Sequence, residues 1–281
     1  MNSTKKFLKV KDHAVSGESF NLVYDEAMGW LETSPRPDKI ERYYESQDYI
    51  SHTDAKRNWF ERIYQLVRSK AIKQKLKLID KQAPDKGNLL DFGCGTGDFL
   101  NKAQDAGWNI TGIEPNDKAR VIANEKTNNA VFPFDKIKDL DDKNYDVITL
   151  WHVLEHLDQP DKWLLQFKQL LKKNGTLILA VPNYESFDAS YYGSFWAAYD
   201  VPRHLWHFSK SAMHRLASKN DMKVDAVFPM IFDAYYVSLL SEKYKSGWMN
   251  IFNALFVATR SNIKAARNGE YSSLIYVLKH Q

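Results

Sequence analysis

The stretch that decides the fold is Leu-Leu-Asp-Phe-Gly-Cys-Gly-Thr-Gly-Asp-Phe-Leu, at residues 89–100. Two apolar residues lead into an acid, a glycine then stands at every second position, and apolar residues follow. This order predicts a short buried strand, a tight turn and the start of a helix. Glycine suits the turn because it tolerates a positive φ and lets a ligand contact the backbone. We therefore expect an α/β protein with a doubly wound, mostly parallel sheet and a ligand at the strand ends.

The spacing of the three glycines narrows the class of ligand. A dinucleotide-binding turn follows the pattern G-x-G-x-x-G, with backbone N–H groups facing a pyrophosphate. Here the glycines are Gly93, Gly95 and Gly97, and Asp98 stands where the third glycine of that pattern would be. A carboxylate disfavours a pyrophosphate and favours a ligand with cationic groups. S-adenosylmethionine (SAM) carries an ammonium and a sulfonium and has no phosphate.

A second acid supports this interpretation. Residues 110–114, Ile-Thr-Gly-Ile-Glu, predict the next strand, with Glu114 at its end. Its offset from Asp91 is close to the roughly 20 residues typical of an acid that binds ribose hydroxyls. The alternative is a glycine turn in an α/β protein without a cofactor, and the presence of both acids argues against it.

The two motifs, D-x-G-x-G-x-G and G-I-E-P-N, together resemble those of the class I SAM-dependent methyltransferases, in the broad small-molecule subgroup that includes ubiquinone-pathway enzymes. The resemblance covers about residues 55–227 and the last strand. It implies a Rossmann-like fold with seven strands, the seventh antiparallel, and SAM as the cofactor. The cofactor-binding residues that it implies are Asp91, Gly93, Cys94, Gly95, Gly97, Asp98, Glu114, Pro115, Phe134, Asp135, Trp151 and His152.

The segment Trp-His-Val-Leu-Glu-His-Leu, at residues 151–157, follows the predicted fourth strand of this sheet. It resembles the H-V-L-E-H segment of the same methyltransferases, whose first residues line the mouth of the cofactor and substrate site. Some relatives with E-x-x-E-H at this point bind a divalent metal, but His152 replaces the first acid, so we expect no metal. Glu155 and His156 are interpreted as mostly structural. The string also matches inverzincin metalloproteases, and the upstream glycine turn argues against that class.

A long segment rich in aromatic residues, 183–208, follows the predicted fifth strand. Its D-x-P-R-H-L-W-H-F-S string resembles the corresponding segment of the same methyltransferase subgroup. Its rings either line a pocket or a lid, or form a separate aromatic core. An acceptor hydroxyl needs a base, and a neutral imidazole near pH 7 suits that task. His152 and His204 are therefore the candidate catalytic residues.

The two ends of the chain carry additions to this domain. Residues 1–37 predict a small hairpin region, and 38–281 the methyltransferase domain, with 228–273 as an insertion that caps the substrate pocket or forms a subunit contact. Some relatives have a C-x-x-C-G zinc knuckle where this chain has His13 and Ser16. Serine is a poor zinc ligand, so the hairpin is interpreted as metal-free or as the relic of a metal site.

Two further segments leave alternatives open. The tyrosine-rich residues 40–50 either pack on the main domain or fold over the cofactor, which would bring Tyr49 and His52 near SAM. Residues 70–77 carry four lysines. A solvated helix face is the simpler interpretation, and nucleic-acid binding is not favoured because no aromatic residues alternate with these cations.

The composition of the chain limits the classes of protein to which it can belong. The chain has 281 residues, 44% of them apolar, and a net charge of +4, which fits a globular domain with a sizeable core. Cys94 is the single cysteine, which excludes a disulfide within the chain and a site of several cysteines. No apolar run approaches the roughly 20 residues of a membrane span, so we expect a cytoplasmic protein without a membrane partner.

These observations predict a SAM-dependent methyltransferase that acts on a small or medium-sized acceptor, at an oxygen atom. Two alternatives stay open: a SAM-binding partner protein without catalytic activity, and an RNA methyltransferase. The expected partner is a small-molecule acceptor, and a homodimer is left open.

Overall fold

The structure is a computed structural model, and it describes residues 4–44 and 59–281. An amino-terminal antiparallel sheet consists of β1 (Thr4–Lys11), β2 (Ser19–Asp25) and β3 (Leu31–Ser34). The turn between β1 and β2 is organised by Asp12, whose carboxylate accepts hydrogen bonds from the backbone N–H and the hydroxyl of Ser16, both at 2.8 Å. The neighbouring His13 ring stacks on Tyr244. His13 and Ser16 thus belong to the hairpin turn.

The main sheet follows a long helix, α1 (Trp59–Gln82). Its first strands are β4 (Asn88–Phe92), β5 (Asn109–Ile113) and β6 (Val131–Phe132). β7 (Tyr145–Trp151) and β8 (Leu171–Pro182) come next. β9 (Trp206–His207) is the fourth strand of the amino-terminal sheet. β10 (Met222–Pro229) and β11 (Ser273–His280) complete the main sheet. The remaining helices are α2 (Asp98–Asp105), α3 (Asp117–Lys126), α4 (Pro160–Leu170), α5 (Phe187–Tyr192), α6 (Lys210–Lys219), α7 (Asp233–Ser246) and α8 (Ile251–Asn268).

The strand order of the main sheet is β10-β11-β8-β7-β4-β5-β6. All pairs from β8 to β6 are parallel, and β11 is antiparallel to both of its neighbours. The apolar run at residues 177–181 is buried along its whole length, as a central strand covered on both faces requires. The predicted doubly wound, seven-stranded sheet with an antiparallel last strand is confirmed. The order reverses between β4 and β7, and ligands of such sheets bind at that point.

The amino-terminal sheet is joined to the main domain by β9, which pairs antiparallel with β3 through Leu31 and His207. A buried ion pair reinforces this junction: the Arg203 guanidinium lies 3.2 Å from an oxygen of Asp12. Tyr192, Trp196 and Tyr199 are buried in one cluster with residues of β1 and β2. The interpretation of the aromatic segment as a separate core therefore describes these three rings.

The insertion consists of the antiparallel pair α7 and α8, which packs on the aromatic segment. The hydroxyl of Ser241 accepts a hydrogen bond from the Ala197 N–H at 2.9 Å, and the Ser261 hydroxyl donates one to Asp188 at 2.7 Å. Among the described residues, no helix has the length and apolar character that crossing a bilayer requires.

Candidate active site

The glycine turn between β4 and α2 has the backbone that the sequence predicts. Gly93, Gly95 and Gly97 have φ values of 78°, 56° and 75°, in the left-handed region. A Cβ at Gly93 would lie 2.5 Å from a methyl group of Val153, whereas one at Gly95 would meet no atom within 4 Å. The turn is therefore packed against Val153 at Gly93 and open at Gly95, where a ligand can lie against the backbone.

Glu114 lies beside this open part of the turn. One carboxylate oxygen accepts a hydrogen bond from the Gly95 N–H and the other from the Asn116 N–H, both at 2.8 Å. Burial raises the pKa of Glu114, although the two N–H groups favour its charged form. Carboxylate oxygens can accept further hydrogen bonds, so the arrangement suits ribose hydroxyls at the turn. Pro115, next in the chain, is exposed.

Asp91 is 2% exposed near the end of β4, beneath the turn. One of its oxygens accepts a hydrogen bond from the Thr149 hydroxyl at 2.6 Å. Burial raises its pKa to about 7, against the opposing effects of Thr149 and Lys75. The acid of the motif is thus a buried group at the floor of the site.

Asp98, the acid that the sequence places against a cationic ligand, has cationic partners within the protein. One of its oxygens lies 2.8 Å from the ammonium of Lys126, and the other pairs with Arg68. Burial alone would raise the pKa of Asp98, but these two cations lower it. Its role toward a cofactor stays a prediction, with its charge already compensated.

Lys75 is a site residue that the sequence analysis missed. Its ammonium lies 4.3 Å from the centre of the Trp151 ring, and burial lowers its pKa to about 8 although Asp91 and Asp233 attract the charge. Lys73 and Lys77, from the same basic stretch, are exposed as expected. Arg68 and Lys75 are seven residues apart, which places them on one helix face two turns apart. This spacing was the feature of the sequence from which a shared position of Arg68 and Lys75 could have been predicted.

The predicted adenine contacts lie in a 3₁₀ turn, Phe134–Asp139, that follows β6. The Phe134 ring is 39% exposed and is backed by Phe92 and Trp163, with ring centres 5.7 and 5.4 Å away. Asp135 is exposed beside it. A ring supported from behind and open in front offers a stacking face, and the acid can accept a hydrogen bond from an amino group.

His152 follows β7 directly, and its φ of 59° is rare for a residue other than glycine. Its Nε2 lies 3.0 Å from an oxygen of Asp233, and its Nδ1 lies 3.4 Å from Oε1 of Glu155. Burial favours the neutral ring, but the two carboxylates outweigh it and raise the pKa of His152 to about 10. This differs from the neutral ring expected from sequence: at neutral pH His152 is charged.

His204 is the second candidate base. It is buried, its Nδ1 lies 2.9 Å from the Ala198 carbonyl oxygen, and its Nε2 lies 4.0 Å from Oε1 of Glu155. The two candidate bases thus face the same carboxylate oxygen from different sides. His152 is partly exposed and His204 is enclosed, so His152 is the better placed to meet a substrate.

Glu155 is itself unusual, because it is 1% exposed and neither of its carboxylate oxygens has a hydrogen-bond partner. Ligand atoms of Glu155, His156 and His204 lie within 4.8 Å of one another. Nδ1 of His156 lies 3.0 Å from the Arg203 carbonyl oxygen, as Nδ1 of His204 lies close to that of Ala198. Within the described part of the chain, these three residues could hold a divalent cation. The expectation of no metal stays a prediction.

Tyr49 and His52, the two remaining candidates, lie outside the described residues. The glycine turn with Glu114 and Asp91, the Phe134 turn and the Trp151–His152 segment lie at the carboxyl ends of β4, β5, β6 and β7. These four strands are parallel neighbours in one sheet. The structure therefore places these predicted cofactor residues along one edge of the sheet.

A family model described as a methyltransferase domain matches residues 55–227, which is more than half of the chain. The chain belongs to this methyltransferase family. Two curated relatives are uncharacterized methyltransferases: that of Bacillus cytotoxicus is 35% identical over 98 residues, 34% of this chain and 46% of the relative. That of Bacillus mycoides is 34% identical over 107 residues, 37% of this chain and 50% of the relative. This methyltransferase chain spans about half the length of the curated relatives it matches.

Solved structures share the fold of this methyltransferase at low sequence identity. Magnesium protoporphyrin IX methyltransferase from Synechocystis, with bound S-adenosylhomocysteine (SAH), aligns with a TM-score of 0.57 and 13% identity over 85% of this chain and 97% of that one. A possible histamine N-methyltransferase from Thermotoga maritima aligns with a TM-score of 0.55 and 19% identity, over 85% and 99% of the two chains. The predicted fold and methyltransferase family are confirmed. The subgroup, SAM as the cofactor and the role of each residue stay predictions.

Proposed function

We propose that this protein transfers the methyl group of SAM to a hydroxyl oxygen of a small or medium-sized acceptor. The observation that carries the proposal is the placement of His152, on a strained backbone at the end of β7, within hydrogen-bonding distance of Asp233. A positive φ at such a residue costs about 1–3 kcal/mol and is typical of functional sites. A histidine oriented by a carboxylate is the arrangement that takes a proton from a hydroxyl group.

The residues around the turn would hold the cofactor as follows. Glu114 binds the ribose hydroxyls, and the Phe134 ring and Asp135 bind adenine. The open backbone at Gly95 and the Asp91 carboxylate below it receive the methionine end. The bound cofactor supplies an electrophilic methyl group, and the protein supplies position and electrostatics.

The acceptor would enter on the side where α7 begins, since Asp233 is the first residue of that helix. The neutral His152 ring removes the hydroxyl proton as the oxygen bonds to the methyl carbon, and Asp233 stabilises the resulting imidazolium. A neutral amine attacks with its own lone pair and needs orientation rather than such a base. The site therefore favours oxygen.

The test is a mass-spectrometric assay with SAM and a panel of hydroxylated, aminated and thiolated acceptors. We expect a product 14 Da heavier, methylated at oxygen, together with one SAH. His152→Gln should lower kcat by about 10²-fold or more while the Kd for SAM stays unchanged. Transfer to nitrogen, or full activity in His152→Gln, contradicts the proposal.

The same assay separates the two alternatives. A non-catalytic SAM-binding protein binds the cofactor and yields no product with any acceptor. An RNA methyltransferase binds RNA with an affinity that falls steeply as salt rises.

A further inference from the structure

Helix α8 has its side chains distributed in an unusual way. Its inward face is built from small or short side chains, which are buried: Ala254, Val257, Ala258, Ser261 and Ala265. Its outward face carries large apolar side chains, which are 40–88% exposed: Ile251, Phe252, Leu255, Phe256 and Ile263. A helix that only covers a core has the opposite distribution, with its large apolar residues inward. The outward face therefore has a function beyond packing.

The apolar surface continues through the turn that precedes the helix. Trp248 is 62% exposed and Met249 is 47% exposed. We name the α8 face as the set of exposed apolar residues Trp248, Met249, Ile251, Phe252, Leu255, Phe256 and Ile263. A contiguous group of this size on one side of a helix marks an interaction surface, whereas single exposed apolar residues do not.

Charge distinguishes between the partners that this surface could meet. Residues 243–269 contain five cations and no acid, the cations being Lys243, Lys245, Arg260, Lys264 and Arg267. Three of them lie beside aromatic rings at the border of the surface: Lys264 and Arg260 are 4.0 and 5.3 Å from the centre of the Phe187 ring, and Lys245 is 5.2 Å from that of Tyr191. The α8 face is thus bordered by lysine and arginine side chains, without acidic residues in the same stretch of sequence.

We propose that the α8 face docks on an anionic lipid bilayer, with α8 lying in the interface. Apolar side chains that enter the headgroup region, flanked by lysine and arginine that contact anionic lipids, are the features of an interfacial helix. A two-fold contact between copies of this chain places five cations against five, which opposes such a dimer. This inference revises the expectation from sequence that the chain has no membrane partner.

The surface is connected to the candidate site. Asn262 on α8 donates a hydrogen bond of 3.0 Å to the carbonyl of Ile231, two residues before Asp233. Ile231 is itself 46% exposed. Docking would therefore hold the insertion, and with it the Asp233 side of the site, close to the lipid surface.

The test is co-sedimentation of the full chain with two kinds of vesicle, one of phosphatidylcholine alone and one with a third of it replaced by phosphatidylglycerol. We expect binding to the anionic vesicles that falls as sodium chloride is raised, and at least about tenfold weaker binding to the neutral ones. Phe252→Ser with Phe256→Ser should weaken anionic binding by about tenfold or more. Arg260→Gln with Lys264→Gln should reduce both the preference for anionic vesicles and the salt dependence.

The matched control is Val121→Ser with Leu165→Ser, which removes two exposed apolar side chains from α3 and α4 and should leave vesicle binding unchanged. Thermal melts of all variants verify that they fold. Equal binding to both kinds of vesicle, or wild-type binding by the Phe252→Ser, Phe256→Ser variant, overturns the proposal. So does a dimer in sedimentation velocity that the same two substitutions dissociate, because the α8 face is then a contact between copies of the chain.

Discussion

The Nε2 atom of His152, directly after β7, lies 3.0 Å from the Oδ2 atom of Asp233, the first residue of α7. The two residues are 81 positions apart in the chain. The insertion between β10 and β11 therefore completes the site that the central strands begin. The insertion supplies the Asp233 carboxylate, which orients the ring of His152. Of the two candidate bases, His152 is the more exposed.

Methyl transfer should accelerate as pH rises. A general base must be neutral, and the carboxylates of Asp233 and Glu155 raise the pKa of His152 to about 10. Between pH 7 and 9 we expect kcat/KM for a hydroxyl acceptor to increase by about tenfold for each pH unit. In Asp233→Asn one of the two carboxylates is lost, so the pKa falls and the rise is complete at a lower pH. A profile that is flat from pH 7 to 9 contradicts the assignment of His152 as the base.

Lys75 should weaken the binding of SAM relative to that of SAH. The Lys75 ammonium lies over Trp151, and SAM carries a sulfonium charge that SAH lacks. Trp151 is a predicted cofactor contact, so we expect the ammonium of Lys75 and the sulfonium of SAM to repel each other. Lys75→Met should therefore lower the ratio of the Kd for SAM to the Kd for SAH by roughly threefold or more. Calorimetry measures both constants. Lys73→Met, on the exposed side of the same helix, is the control and should leave the ratio unchanged.

Stability should depend on pH through Asp91. Burial raises its pKa in the folded protein to about 7, above the value of about 3.9 in an unfolded chain. The folded state therefore holds this proton in a range where the unfolded state has lost it. The free energy of unfolding then decreases as pH rises from about 4 to about 7. Asp91→Asn removes this decrease, which urea unfolding at several pH values measures, while the exposed Asp85→Asn should behave as the wild type does. If the free energy of unfolding depends on pH in the same way in wild type and Asp91→Asn, the raised pKa of Asp91 is contradicted.

Arg203 should be important for stability. Its guanidinium is 4% exposed and pairs with Asp12 at 3.2 Å and with Asp200 at 2.5 Å, while it donates to the Tyr43 carbonyl. Arg203→Met leaves the buried carboxylate of Asp12 and the partly buried carboxylate of Asp200 without their cation, which costs on the order of 3–5 kcal/mol. Urea unfolding provides the measurement. Lys102→Met, which breaks an exposed pair with Asp105, is the control and should have little effect. An equally small effect in Arg203→Met would show that the junction does not depend on this ion pair.

The sequence was sufficient for features that depend on local patterns. The glycine turn, Glu114 at the end of β5 and the antiparallel β11 follow from turn chemistry, strand patterns and the family resemblance. Lys75, Asp233 and β9 could not be predicted, because each depends on which distant segment packs against it. A basic stretch such as residues 70–77 has the same composition whether a given lysine faces solvent or a ring. The charge on His152 could not be predicted for the same reason, since the Asp233 carboxylate that raises its pKa comes from a distant part of the chain.

The pairing of β3 with β9 also determines how chimeras of this protein have to be built. Strand β3 contributes a main-chain edge to Trp206 and His207, and Asp12 contributes a counter-charge to Arg203. A donor segment that replaces residues 1–37 must therefore arrive with its own version of residues 200–208. A chimera in which the amino-terminal segment alone is exchanged would lose both the strand pairing and the ion pair.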